Sequence, residues 1–255
     1  MLTSNPFAEL SAFISPAIMQ TYIIIMILLV AGGTIFDVIH KKSAVYFFRA
    51  AQKSKDRATR QVGSGEKVSL AIQTAVIEGL TSGEFCNPHR RIAHLLTMYG
   101  FVAYVVATII MVFAYPTLAT PAPAILPLLW YLGALMVCVG GYWFWFFIRV
   151  DVASEGNSPF RLVRADLFIV SLLVSVTLGL IWAISGSGIF LGLYLLATTV
   201  LFGSIPWSKF SHMFFKPAAA YQKRVEKANG SRRNLPPPAD NPETYGSARR
   251  QPQNY

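Results

Sequence analysis

Every lysine and arginine in this chain falls on one side of a five-span reading, and that asymmetry limits the fold more than any other feature. Five apolar stretches, residues 17–36, 92–115, 125–148, 167–184 and 189–207, are each close to the roughly 20 residues a helix needs to cross the hydrocarbon layer. Of the 22 basic residues, ten lie between the first and second stretches, three (Arg149, Arg161, Arg164) between the third and fourth, and nine after the fifth. The three alternate segments hold none. Because cytoplasmic segments collect Lys and Arg, the sequence predicts an all-α integral membrane protein. It is a five-transmembrane-helix bundle in the inner (cytoplasmic) membrane, with its N-terminus outside and its C-terminus cytoplasmic.

Composition agrees, since 54% of residues are hydrophobic and only 13% charged, more apolar sequence than one soluble core of this size uses. The first stretch has Glu9 as the only charge before it and no convincing cleavage site, so it reads as a retained helix and not a signal peptide. The net charge of +10 is what a basic membrane collar produces, and no aromatic-basic recognition motif accompanies it, so no nucleic-acid partner is expected. Cys86 and Cys138 are too few and too far apart for a metal cluster.

The organisation that follows has three parts: an outer segment 1–16, a membrane domain 17–217 with a cytoplasmic loop 41–91, and a largely disordered cytoplasmic tail 218–255. The loop is long for a connection between spans, which points to structure or function of its own. Within it, Val68, Ile72, Ala75, Val76 and Leu80 recur at helical spacing and predict an amphipathic helix over 66–82, suited to a membrane surface, a docking partner or a lipid-lying linker. The tail carries Pro236-Pro237-Pro238 and almost no aliphatic residue after Asn229.

All four histidines, His40, His89, His94 and His212, map to the cytoplasmic side. His40 and His89 suit a headgroup boundary, where an imidazole simply bonds water. His94 and His212 sit on hydrophobic helices, one near the start of the second span and one just past the fifth. Two neutral imidazoles facing each other can supply both axial ligands of a haem iron, leaving no open coordination position and favouring electron transfer.

Flanking residues carry a resemblance. Ile205-Pro206-Trp207-Ser208-Lys209-Phe210-Ser211-His212, followed by Lys216-Pro217, resembles the end of the last helix in the cytochrome b family of the respiratory nitrate reductase gamma subunit. Arg90-Arg91-Ile92-Ala93-His94 with Met98-Tyr99-Gly100-Phe101 is similar to the corresponding helix in the membrane subunit of the quinone-interacting oxidoreductase of sulfate reducers. Among stand-alone relatives the likeness is to the membrane anchor subunit associated with adenylylsulfate reductase. The resemblance implies a five-helix fold with His94 and His212 holding one haem b. Tyr104 and Tyr194 stand where such proteins carry a second histidine pair, about 15 Å along the helix. They are expected to fill that volume and share a hydrogen bond.

No catalytic triad, phosphate loop or paired carboxylates at enzyme-like spacing occur, so substrate chemistry belongs to a partner. The expected function is a membrane anchor and cytochrome b subunit that passes electrons between a cytoplasmic flavin/iron-sulfur oxidoreductase and membrane quinone. Asp37, His40, His89, Arg91 and Lys209 are the inner-face candidates for quinone binding or proton transfer. Each also has a plainer use: Asp37 with Lys41 at a helix end, Arg91 and Lys209 snorkelling to headgroups. The run Tyr142-Trp143-Phe144-Trp145-Phe146-Phe147 fits an interfacial aromatic belt. A haem-free anchor or a small-solute transporter are the alternatives.

Overall fold

The structure, a computed structural model, describes residues 2–40, 42–83, 85, 87–149, 162, 166–205 and 212–232. Among them there is helix and no strand. In chain order the helices are α1 (Pro6–Glu9), α2 (Pro16–His40), α3 (Ser43–Asp56), α4 (Ser64–Thr74, widening into a π-helical turn over Ala75–Leu80), α5 (Pro88–Ala114), α6 (Ile125–Trp143, ending in a π-helical turn over Phe144–Ile148), α7 (Leu167–Ser185), α8 (Gly188–Gly203) and α9 (His212–Ala228).

Four helices are long and apolar enough to cross a membrane: α2, α5, α6 with its π turn, and α7. The chain is thus a multi-pass membrane protein on the length and apolarity of its helices. The fifth predicted stretch forms α8, a shorter apolar helix of 16 residues that pairs with α7 inside the same bundle.

Small residues set the closest approach in that bundle. A Cβ on Gly100 of α5 would stand 2.7 Å from the Gly133 carbonyl oxygen of α6, and a Cβ on Gly133 would stand 2.7 Å from the Gly100 oxygen. One on Gly140 would meet the Ala93 oxygen at 2.6 Å, so the two backbones run in contact over several turns. Lipid is as apolar as leucine, so such packing, with hydrogen bonds between helices, replaces the hydrophobic drive that operates in water. Hydroxyls supply those bonds: Ser175 Oγ and Thr198 Oγ1 lie 2.7 Å apart between α7 and α8, and Tyr22 of α2 donates to the Leu195 carbonyl of α8 at 2.8 Å.

One end of the bundle, remote from the 41–91 loop, is closed by the N-terminal segment. Asn5 caps α1 and donates to the Tyr115 carbonyl at 2.9 Å, which seats Phe7 against Trp130 and Trp182 with ring centroids 5.9 and 5.3 Å away. Asn5, Phe7, Ala8 and Leu10 of the N-terminal segment are therefore part of the core, while Leu2 and Phe13 stay exposed.

The other end, the basic end, carries a polar cap made of α3, α4 and α9. Backbone N–H groups of Thr59 and Arg60 donate to the Asn229 carbonyl, Arg60 Nε donates to the Ala228 carbonyl at 2.7 Å, and Ser54 and Ser231 hydroxyls lie 3.0 Å apart. Arg224 pairs with Glu78 at 2.9 Å. Residues 218–228, read from sequence as the start of the tail, thus continue α9 and clasp the loop. Residues 233–255, the remainder of that tail, lie outside the described residues.

Candidate functional site

The chemistry-bearing residues gather where the loop returns to the bundle. Arg91 Nε donates to the Thr81 carbonyl at 2.7 Å, and Tyr99 donates to the Leu80 carbonyl at 2.7 Å. These two bonds tie the π turn along the first three turns of α5. The turn closes with Thr81 N–H donating to Val76 at 3.0 Å and Gly83 N–H to Ile77 at 2.7 Å. Between them Ser82 has φ 48°, a left-handed conformation that costs free energy in a residue with a Cβ, yet it is almost fully buried.

That strained residue holds the histidine. Ser82 Oγ lies 3.0 Å from His94 Nδ1, and the Phe85 ring packs on the imidazole at 4.8 Å. In the tautomer whose Nδ1–H donates a hydrogen bond to the serine oxygen, the ring's lone pair is on Nε2, the usual arrangement of an imidazole presented to a metal. Phe85 also meets α9, whose Lys216 ammonium sits 5.5 Å from the ring centroid. Lys216 is four residues, about one helical turn, beyond His212, the first residue of α9. Phe85 therefore joins the two elements that carry His94 and His212.

The remaining sequence candidates are spread around the same end. His89 lies edge-on to Trp143 at 6.0 Å, linking α5 to the end of α6. His40 stacks on Phe36 of its own helix at 5.5 Å, and Asp37, one residue further, is buried within the bundle at 2% exposure. Lys209 and Cys86 lie outside the described residues, as does the side chain of His212. Cys138 is half-buried with its sulfur 3.8 Å from the Thr177 hydroxyl. Among the described residues no group of three or more His, Cys, Asp or Glu side chains gathers at a metal-binding spacing. The sequence reading missed Ser82 and Phe85. The only signal for either was that the predicted helix ended at 82 with His94 twelve residues on.

Two charges at the loop between α6 and α7 were also unanticipated as partners. Arg149 and Asp166 form an ion pair between the helix ends that flank residues 150–165, and the Arg149 guanidinium lies 4.0 Å over the Trp145 ring. The aromatic run 142–147 thus has an anchoring use, with Tyr142 bonded to Thr177 at 2.8 Å.

At the far end Tyr104 donates to Tyr194 at 2.9 Å, both rings buried, between Trp130 at 5.0 Å and Trp182 at 5.7 Å. Gly179 leaves the room they need: a Cβ there would stand 2.9 Å from the Tyr104 oxygen.

Comparison with known proteins identifies a family. The sequence profile of CitB, citrate utilization protein B, matches residues 25–233. No curated protein and no solved structure matches the chain. The profile overturns the resemblance to the cytochrome b family of the nitrate reductase gamma subunit and to the membrane subunit of the sulfate reducers' oxidoreductase. Its motifs, a histidine set among cations and aromatics at a helix end, are what a basic membrane collar produces in unrelated bundles, so they carried little family information. The adenylylsulfate reductase connection and the correspondence of Tyr104 and Tyr194 to lost haem ligands fall with it.

Proposed function

Because the chain belongs to the citrate utilization protein B family, we propose that it is the membrane-embedded electron-transfer subunit of a soluble oxidoreductase serving the use of citrate or a related tricarboxylate. The placement of Phe85 between His94 and the first turns of α9 carries this reading, since it gathers both histidine-bearing elements at one end of the bundle. His94, its Nδ1 side held by Ser82, and His212, the first residue of α9, are the residues that would hold a bis-histidine haem b. A haem held there would supply one-electron transfer.

The one-sided basic residues support five crossings with the N-terminus outside and the cap in the cytoplasm. The α8 helix with Ser204 and Ile205 spans about 27 Å, near the length a tilted bundle needs. The exposed cations of the cap, Lys53, Lys55, Arg57 and Lys227 among them, offer the soluble partner, a flavin or iron-sulfur protein, an electropositive landing face. Quinone is the acceptor on the membrane side, with Asp37, His40, His89, Arg91 and Lys209 the groups available to bind it or move its protons.

Protein purified from haem-supplied cells should give a reduced-minus-oxidised haem b spectrum and one haem per chain by pyridine extraction. His94→Ala and His212→Ala should each abolish it, while Tyr104→Phe should not. A colourless, folded preparation would overturn the haem and leave a haem-free anchor.

A further inference from the structure

The helix formed by α4 and its π turn has two unlike faces. One meets α9, through buried Thr74 and the Glu78–Arg224 pair. The other presents Val68, Ile72, Val76 and Leu80, each between 44% and 60% exposed, with the exposed Ala71 and Ala75 between them. In a uniform α-helix residues four apart drift sideways by about 40° per step. The wider π turn takes more residues per revolution and reverses that drift, which brings Leu80 back toward the line of Val68 and Ile72.

The bonds to α5 fix where this stripe lies. Tyr99 is fifteen residues before Ala114, the last residue of α5, a rise of about 22 Å. Its ring leans further toward the helix N-terminus. The hydroxyl therefore sits near the limit of a hydrocarbon layer roughly 30 Å thick. Tyr99 is itself exposed on the bundle surface beside Val102 and Val106, the face α5 turns to lipid. Since that hydroxyl is 2.7 Å from the Leu80 carbonyl, the stripe is continuous with the lipid-facing surface at the level where acyl chains meet headgroups. Lys67, Arg90 and Arg91 stand at its two ends, suited to acidic headgroups.

We propose that α4 and its π turn form an in-plane membrane helix, seated in the leaflet on the basic side through Val68, Ile72, Val76 and Leu80. The leaflet then helps fix the turn that carries Ser82 and Phe85 onto His94. The proposal needs α5 to span the membrane and is independent of whether His94 binds haem.

Full-length protein in phospholipid nanodiscs tests it. A bimane label is placed at Ile72→Cys or Val76→Cys, with Lys67→Cys and Gln73→Cys as flank controls. The background is Cys86→Ser, Cys138→Ser, checked for natural helicity and size. The stripe labels should be quenched severalfold more by brominated lipid than the flank labels, and less by aqueous iodide. Equal iodide quenching at all four positions would overturn the proposal. Stripe labels shielded from iodide and from brominated lipid alike would overturn it too, showing a protein or a second copy on that face. Should the cysteine-free background misfold, benzoylphenylalanine at Ile72 in the natural chain probes the same contact by photocrosslinking. Phospholipid adducts would sustain the in-plane helix, and protein adducts alone would reject it.

Discussion

At the far end of the bundle Trp130 has no exposed surface, its indole N–H donates to Thr108 at 2.9 Å, and its ring lies 5.0 Å from both Tyr104 and Tyr131. At the basic end His94 lies on an exposed face, held by a serine in a strained backbone conformation and covered by one phenylalanine. The far end is stabilised by volume filled with rings and hydroxyls. The basic end is stabilised by ion pairs and carbonyl contacts between segments distant in sequence, each individually weak. The fully buried rings are thus gathered at one end of the bundle, and the accessible histidine His94 lies at the other.

The widest gap between the two ends should appear on truncating an aromatic ring. Trp130→Ala removes a fully buried ring and its hydrogen bond and should cost about 3–5 kcal/mol in detergent unfolding. Phe48→Ala on the cap, where the ring is 68% exposed, should stay within about 0.5 kcal/mol. Similar losses at the two sites would break the comparison. Glycines should separate by sign as well as size. Gly133→Ala forces apart backbones already in contact and should cost about 1–3 kcal/mol. Gly32→Ala on α2 meets nothing within 4 Å and should instead gain up to about 1 kcal/mol through helix propensity. Thermal denaturation of both variants reads the contrast.

Tyr104→Phe should have a smaller effect. It deletes only the hydroxyl that donates to Tyr194, and side-chain hydrogen bonds between membrane helices average about 0.6 kcal/mol. A loss several times larger would mean that the tyrosine pair is coupled to the wider aromatic cluster.

How much of this was legible in sequence follows from what each element needs. The long spans announce themselves because an acyl environment demands an unbroken apolar run. The meeting of Tyr104 with Tyr194 was anticipated, though the family likeness that prompted it was wrong. Phe7 was not recognised as a plug, because the short segment 1–16 has no periodicity that would tell buried Phe7 from exposed Phe13. The helix over 218–228 was lost among Ala, Lys and Gln, whose pattern declares itself only once the loop supplies Asn229 with Thr59 and Arg60 as partners. Ser82 and Phe85 were invisible for a related reason. Their importance comes from a turn held by carbonyl bonds to Arg91 and Tyr99, and backbone oxygens leave no trace in sequence.

The mildest difference between the ends should be a response to acid confined to the cap. Arg60 holds Glu66 through two bonds of 3.0 and 2.5 Å while its Nε reaches the Ala228 carbonyl, so one guanidinium fastens the first turn of α4 to the end of α9. Hydrogen bonding to Arg60 lowers the Glu66 pKa below the ordinary glutamate value, with desolvation opposing it and the Arg60 charge adding to it. A carboxyl whose folded value is lowered contributes its stabilisation above the unfolded value, about 4.3, and loses it as the pH falls through the lowered one. The clasp should therefore hold at neutral pH and loosen only below about pH 4. The pair is accessible to solvent, so the effect is local. Hydrogen exchange of Thr59 and Arg60 amides should quicken in that window beyond the intrinsic rate, while amides near Trp130 stay protected. Glu66→Gln should quicken the cap amides at neutral pH and abolish the acid step. A variant that keeps the natural profile would show that the clasp depends on the backbone bonds to Asn229 and not on the ion pair.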